Sequence, residues 1–458
     1  MKRILDRKRI TKLGAMAVRI MELRHYAAFG LYSAVAFGCS WILDINLVIP
    51  VVLVCLVMLL RFIHRSEDFK TYRILYLVFL FVLVISASFA IRIYNAPVLF
   101  SPFPVLAMLS VMLFNDLIVA FLLTVGSSIT IAAINGNDFY LALICLVSGI
   151  AAALLVDGAR RRNVIIRAGI IVGVVQVVVG ILLTNFRLLD PNQYLILFSN
   201  GVIYSVIILG ILPVFEMLFG TVTNISLLEL ADFNHPLLHR LMLEAPGTYH
   251  HSLIVGNLSE AACSAIGANS LLARIGAYYH DIGKLNKPEY FSENQELAAS
   301  KHDTLSPTIS KMVIMNHIKE GVELGRRHHL NPRIVDFIQH HHGTSLVYYF
   351  YRRALERVED TQEVPEEGFR YPGPRPRTKE IAVVLLADSV EAATRSMKSP
   401  SPDGIRELVH KIINNKFIDG QLDDCDLTLK DLEKIANVFI HVLSGIYHTR
   451  ITYPDQKK

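Results

Sequence analysis

The chain has 458 residues, too many for one ordinary domain, and 53% of them are hydrophobic while only 19% are charged, below the roughly 25% of soluble domains. The shortfall is uneven: charges are scarce from about Tyr26 to Gly220 and ordinary from about Thr221 to Lys458, which excludes a single soluble domain and reads as a membrane domain followed by a soluble one. A net charge of +5 is too small to point to a nucleic-acid polymer, and the five cysteines include no CxxC pair, which excludes a disulfide or zinc framework and suits a reducing compartment.

Residues 1–26 are strongly basic. The apolar stretch after them runs straight into further apolar stretches with no small-residue cleavage site, so the segment reads as a cytoplasmic anchor rather than a signal peptide. A span needs roughly 20 apolar residues, and residues 27–220 offer about eight candidates: 27–43, 47–62, 74–91, 98–114, 117–134, 140–156, 164–183 and 195–218. The first two are separated only by Asp44–Asn46 and must form a tight hairpin or one broken element. Lys and Arg set the orientation. The loop around Arg61, Arg65, Lys70 and Arg73 and the cluster Arg160–Arg162 fall on the side of the basic N-terminus, while the loops around Asn95, Asn135–Asp138 and Asp190–Gln193 are poor in positive charge. Eight spans then return the chain to the cytoplasm. The span interiors hold almost no ionisable residues, which argues against a transporter or proton pump.

Residues 221–458 read as all-helical. Ser306-Pro307 and Pro332 open helices, Thr428 and Asp431 form a capping box, and no long alternating strand pattern appears. Residues 358–379, acidic and then rich in Pro, Gly and Arg, read as a surface loop.

Of the chain's 17 histidines, most lie in this half. His250-His251 follow APGTY, His280-Asp281 open HDIGK, His317 lies inside a capped helix, His340-His341-His342 end another, and Asp388 interrupts the apolar run IAVVLLADSV. A carboxylate amid Val, Leu and Ala is costly unless paired or metal-bound. Imidazole and carboxylate together suit iron, manganese or zinc. A lone buried histidine is usually a hydrogen-bonded core residue, and an HD dipeptide alone means little. His302-Asp303 before a helix cap reads as loop chemistry, and His328-His329 as an exposed basic stretch. The ordered set His, HisAsp, His, HisHis, Asp on separate helices is what points to a metal centre.

The stretches EAPGTYHHS, YYHDIGK, HHHGT and ADSVEAA resemble the HD phosphohydrolase superfamily of HDIG type. From about Leu47 onward the chain is similar to the bacterial seven-transmembrane HD family, whose characterised members hydrolyse cyclic di-AMP; PVFEMLFGTVTNISLLELADFNHPLLHRL and GIYHTRITYPD also match that family. The resemblance implies a first metal on His251, His280, Asp281 and Asp388, and a second on His317, His341 and His342 with Asp281 bridging. It selects His251 over His250, and His341-His342 over His340. It makes Lys284 a supporting or phosphate-facing residue. Tyr249, Tyr290, Arg375, Arg377 and His448 are candidates for contacting substrate. Family members usually carry a large extracytoplasmic domain after the first span, where only Asp44–Asn46 stand here.

The implied fold is all-α: a basic segment 1–26, a polytopic helical membrane domain 27–220, and an all-helical HD-domain bundle 221–458. The implied function is a phosphodiesterase anchored in the inner (cytoplasmic) membrane with its catalytic domain in the cytoplasm. It would open cyclic di-AMP to linear pApA by attack of a hydroxide activated by two divalent metals, iron or manganese. Substrate and lipid bilayer are the expected partners, with no nucleic-acid polymer and with room for a homo-oligomer. Two readings stay open: hydrolysis of another cyclic dinucleotide or nucleotide, and a membrane receptor whose HD domain binds nucleotide without cutting.

Overall fold

The structure is a computed structural model. It describes residues 51–52, 55–56, 58, 71–184, 190–295, 301–357, 364–397 and 400–447. Among the described residues no β-strand occurs, only the isolated antiparallel bridge Leu346–Arg370. The chain divides into two compact units between Phe219 and Gly220.

The first unit contains α1 (Thr71–Ile93), α2 (Phe103–Phe114), α3 (Leu117–Ile134), α4 (Phe139–Val156), α5 (Arg162–Leu183) and α6 (Pro191–Phe219). All but α2 are long and apolar enough to cross a membrane, and their outward faces are apolar, as at Val174, Val178 and Leu182 on α5. The chain is therefore a membrane protein. Of the two expected spans 27–43 and 47–62, only Val51, Val52, Cys55, Leu56 and Met58 are described, all helical; Asp44–Asn46 and most of the loop after span two lie outside the described residues.

The expected continuous span 98–114 is instead broken. Val98–Phe100 form a 3-10 turn, and α2 begins only after Ser101-Pro102. Proline supplies no N–H and disfavours helix in the residue before it, so carbonyls around the break lose their helical donors. Two side chains of α6 replace them. Asn200 Nδ2 donates to Leu99 O (2.8 Å) and Ser101 O (3.1 Å), and Tyr204 Oη donates to Phe100 O. Such compensation is what lets non-helical backbone persist at membrane depth. Gln176 of α5 donates to Asn200 Oδ1, and α5 and α6 meet backbone to backbone. A Cβ on Gly201 would lie 2.3 Å from Gly169 O, the small-residue contact of membrane helix pairs.

The second unit contains α7 (Asn224–Leu230), α8 (Pro236–Glu244), α9 (Pro246–Ile266), α10 (Ser270–Tyr279), α11 (Pro307–Arg327), α12 (Pro332–His340), α13 (Tyr348–Leu355), α14 (Lys379–Arg395), α15 (Pro402–Ile418) and α16 (Leu429–Ile446). Side-chain caps start many of them: Asn269, Ser306, Asn331, Thr378 and Ser401 each accept a backbone N–H of the first turn, and Thr428 and Asp431 form a reciprocal capping box. At the centre is α14, where Ile381 to Asp388 are all buried against α9, α10, α15 and α16. This is why a carboxylate on α14 ends up deep inside the bundle.

Candidate metal centre

Helical geometry separates the two histidines of α9. His250 is exposed and His251 is 1% exposed, as expected for neighbours about 100° apart on a helix. α10 ends at Tyr279. His280 caps it with helical dihedrals, Asp281 turns away (φ −110°, ψ 14°), and a 3-10 turn follows over Ile282–Asn286. Because the helix stops there, adjacent His280 and Asp281 can both face one site. Gly283 then lets this turn lie against α11, where a Cβ would stand 1.8 Å from His317 O. α11 supplies His317, the end of α12 supplies His341 and His342, and α14 supplies Asp388.

These residues converge. Asp281 Oδ2 is 3.2 Å from His280 Nε2 and 3.7 Å from His251 Nε2, while Asp281 Oδ1 is 3.4 Å from His317 Nε2 and 3.7 Å from His341 Nε2. Asp388 places Oδ1 3.1 Å from His251 Nε2 and Oδ2 3.5 Å from His342 Nδ1. The donor atoms fall into the groups His251, His280, Asp388 and His317, His341, His342, with a third of His280, Asp281 and His341 between them. His340 is also buried but belongs to none of these groups.

The second ring nitrogen of four histidines is already engaged. Nδ1 of His280 bonds Ala277 O (2.6 Å), that of His317 bonds Ile314 O (2.5 Å), that of His341 bonds Ile338 O (3.0 Å), and that of His251 bonds Glu391 Oε2 (2.5 Å). A carbonyl or carboxylate there accepts Nδ1–H and leaves a lone pair on Nε2, the usual way a protein orients a metal-binding imidazole. Two such lone pairs, on His317 and His341, face each other at 3.4 Å, an arrangement that repels unless a cation lies between them. His280 Nε2 and Asp281 Oδ1 are fully buried without a hydrogen-bond partner. The donor set is all imidazole and carboxylate and fits divalent cations.

Electrostatics agree with that role. Burial, with the His280 charge, pushes His341 down to about 3, and burial with the neighbouring His341 holds His342 well below the usual imidazole range. Burial also lowers His317. His251 goes the other way, up to about 9: burial opposes the charge, but hydrogen bonds to Asp388 and Glu391 outweigh it. A divalent ion at its Nε2 must displace that proton. Burial would raise Asp281 and Asp388. The charges of His280 and Lys284 hold Asp281 far below the ordinary carboxylate value, and the hydrogen bond from His251 does so for Asp388.

Lys284 is committed within the protein. Its Nζ lies 2.7 Å from Asp281 Oδ2 and 2.6 Å from Glu293 Oε1. Glu293 is held by Thr248 Oγ1 (3.1 Å) and pushed down to about 2, the Lys284 charge overcoming burial. Tyr290 packs beside His302 and under Lys301, and Tyr249 packs edge-on to Phe233. Arg375 pairs with Asp423, and Arg377 is exposed ahead of α14. Among the described residues none of these four makes a hydrogen bond, ion pair or ring contact to a residue of the histidine–aspartate cluster, and His448 lies outside the described residues. His302-Asp303 does lie on a short 3-10 turn ahead of the Ser306 cap and outside the cluster, yet His302 itself is 6% exposed, bonds Tyr290 O at 2.8 Å and packs on Phe350. Exposed His329 takes a left-handed conformation just past the end of α11. Residues 358–363 of the expected surface loop are not described, but its second half turns inward, and buried Tyr371 stacks on His342 at 4.3 Å.

Sequence reasoning missed Glu391 and Glu293. Glu391 follows Asp388 by three residues on α14, a spacing that shares a helix face, so ADSVEAA held the signal. Glu293 arrives through consecutive 3-10 turns with no periodicity to announce it.

Two family models match: one described as 7TM receptor with intracellular HD hydrolase, over residues 40–223, and the HD domain, over residues 248–393. The chain is 44% identical over 340 residues to a Bacillus subtilis protein named cyclic-di-AMP phosphodiesterase PgpH, covering 73% of this chain and 47% of that one. It is 41% identical over 346 residues to the Listeria monocytogenes protein of the same name, covering 74% and 48%. The crystal structure of the L. monocytogenes PgpH HD domain is 47% identical and matches 47% of this chain and 100% of its own, with a TM-score of 0.45. The chain thus spans about half the length of the curated relatives it matches. With a seven-transmembrane match leading into an HD match that contains every residue of the cluster, the chain belongs to the family of 7TM receptors with an intracellular HD hydrolase.

Proposed function

We propose that this protein is a metal-dependent phosphodiesterase that opens cyclic di-AMP to linear pApA. The observation that carries the reading is the convergence of seven residues from five segments, with four histidines placed around the two oxygens of Asp281 and His251 and His342 around those of Asp388. The substrate is taken from the named activity of relatives at 41% and 44% identity. His251, His280 and Asp388 would hold one divalent ion, His317, His341 and His342 a second, and Asp281 would serve both; iron and manganese suit this donor set. When bound, the two ions supply Lewis acidity and a water acidic enough to ionise near neutral pH.

The chain's own residues prepare that chemistry. Lys284 keeps Asp281 ionised with one oxygen toward each histidine group. Glu391 and the carbonyls of Ala277, Ile314 and Ile338 fix the imidazole tautomers before any ligand arrives. Burial of His280, Asp281, His317 and His341 excludes bulk water and strengthens every charge interaction inside. Cleavage adds water across one phosphodiester, breaks the bond from phosphorus to the ribose 3′ oxygen and leaves a 5′ phosphate. We assign the unit from Gly220 onward to this catalysis, place it on the cytoplasmic side of the inner membrane, and assign the preceding unit to anchoring.

The test is to incubate the purified, manganese-loaded full chain with cyclic di-AMP and cyclic di-GMP and separate products by chromatography. pApA should accumulate, and cyclic di-GMP should turn over more slowly. Faster cleavage of cyclic di-GMP would replace the substrate. Absence of any phosphodiester turnover by metal-loaded protein would make the chain a nucleotide-binding receptor.

A further inference from the structure

A cation not already matched by carboxylates would attract a dinucleotide phosphate, and the cations near the centre are mostly taken. Lys284 is shared by Asp281 and Glu293, Arg370 by Glu366 and Asp419, Arg375 pairs with Asp423, and Arg395 lies 3.8 Å from Glu391. A guanidinium or ammonium already matched by carboxylates has little charge left for substrate.

The cluster opens on one side. The side chains of His251, His280, Asp281, His317 and His341 are at most 2% exposed, whereas Asp388 is 12% and His342 is 21% exposed. Substrate must therefore approach over His342 and Asp388. On that side the turn after His342 is closed by Ser345 N–H donating to His342 O (3.1 Å), and Ser345, 4% exposed, accepts Lys416 Nζ from α15 at 2.7 Å. Lys416 is partly buried, and among the described residues no carboxylate lies within ion-pair distance of it. Burial lowers its pKa, and the strongest opposing charge is Asp388 itself. Asp388 and Asp419 favour the ammonium from beyond ion-pair distance, but its hydrogen bond goes to a neutral hydroxyl, which leaves donors for a further acceptor.

We propose that Lys416, steadied by Ser345, binds a phosphodiester oxygen of the substrate at the mouth of the metal centre. The proposal rests on the phosphodiesterase reading, so its test separates the two. Manganese-loaded full-length Lys416→Met and Lys416→Gln are compared with wild type, with Lys416→Arg as the charge-keeping variant and Lys411→Met, an exposed lysine of the same helix, as control. Metal content should stay unchanged, because Lys416 is no ligand. KM for cyclic di-AMP should rise about 10- to 100-fold in the Met and Gln variants, the scale of a charge-assisted hydrogen bond, while kcat falls less. The Arg variant should stay within about threefold. Calorimetric binding of inorganic phosphate to the same proteins should weaken in parallel. Unchanged KM and unchanged phosphate binding in folded Lys416→Met would overturn the proposal, and so would loss of metal, which would make Lys416 a structural residue. A wild-type protein that cleaves no dinucleotide yet binds phosphate through Lys416 would sink the phosphodiesterase reading and keep the anion site.

Discussion

Asp281 and His302 are both histidine–aspartate dipeptide members and both buried, yet only one faces the donor cluster. Asp281→Ala should lower bound manganese and abolish turnover, because it deprives both histidine groups of their shared carboxylate. His302→Ala should leave metal binding intact and lower thermal stability by about 2 kcal/mol, the order expected for one buried hydrogen bond plus packing. His329→Ala, on an exposed turn, should change neither. A His302 variant as metal-deficient as the Asp281 variant would place the site on the wrong dipeptide. Glu391 offers a finer test. Its carboxylate fixes His251 through Nδ1, so Glu391→Leu should weaken manganese binding by about 10- to 100-fold, read by calorimetry on protein whose melting curve confirms folding. The residues that converge in the cluster were legible because each lies in a short motif rich in chemistry. The commitment of Lys284 to Glu293 was not, because that pairing crosses irregular 3-10 turns and depends on packing against Thr248 and Asn294.

Elements carry the same contrast. Long apolar runs with clear ends, such as α3, α4 and α5, lie within two residues of where composition puts them. The run 98–114 does not, and the prolines at 97, 102 and 104 were the local signal that uniform hydrophobicity masked. What repairs the break, Asn200 and Tyr204, lies about a hundred residues away and could not be read from the run itself. Caps at Ser306 and Thr428 were readable because capping is local chemistry. At the HDIG turn, Gly283 sets how closely that turn meets α11. Gly283→Ala should cost about 1–3 kcal/mol or more by overpacking and reduce metal content. A variant with wild-type melting temperature and full metal content would show that this approach is not needed.

At the scale of the molecule, charge asymmetry makes the sides of the membrane testable. The Arg160–Arg162 turn between α4 and α5 should face the cytoplasm, and the Asn135–Asp138 turn between α3 and α4 the outside. In a cysteine-free background, Asn137→Cys should react with an impermeant reagent in intact cells and Arg161→Cys only after permeabilisation. Labelling of the Arg161 site from outside would invert the orientation and contradict the cytoplasmic placement proposed for the unit from Gly220 onward. The central claim is that the donors gathered around Asp281 act as a two-metal hydrolytic centre. Chelator-stripped full-length protein should be titrated with manganese while bound metal and pApA formation from cyclic di-AMP are followed together. The account predicts no product in the stripped protein, saturation near two ions per chain, and turnover that rises mainly with the second. Undiminished turnover in the stripped protein, or full activity with a single ion bound, would contradict it.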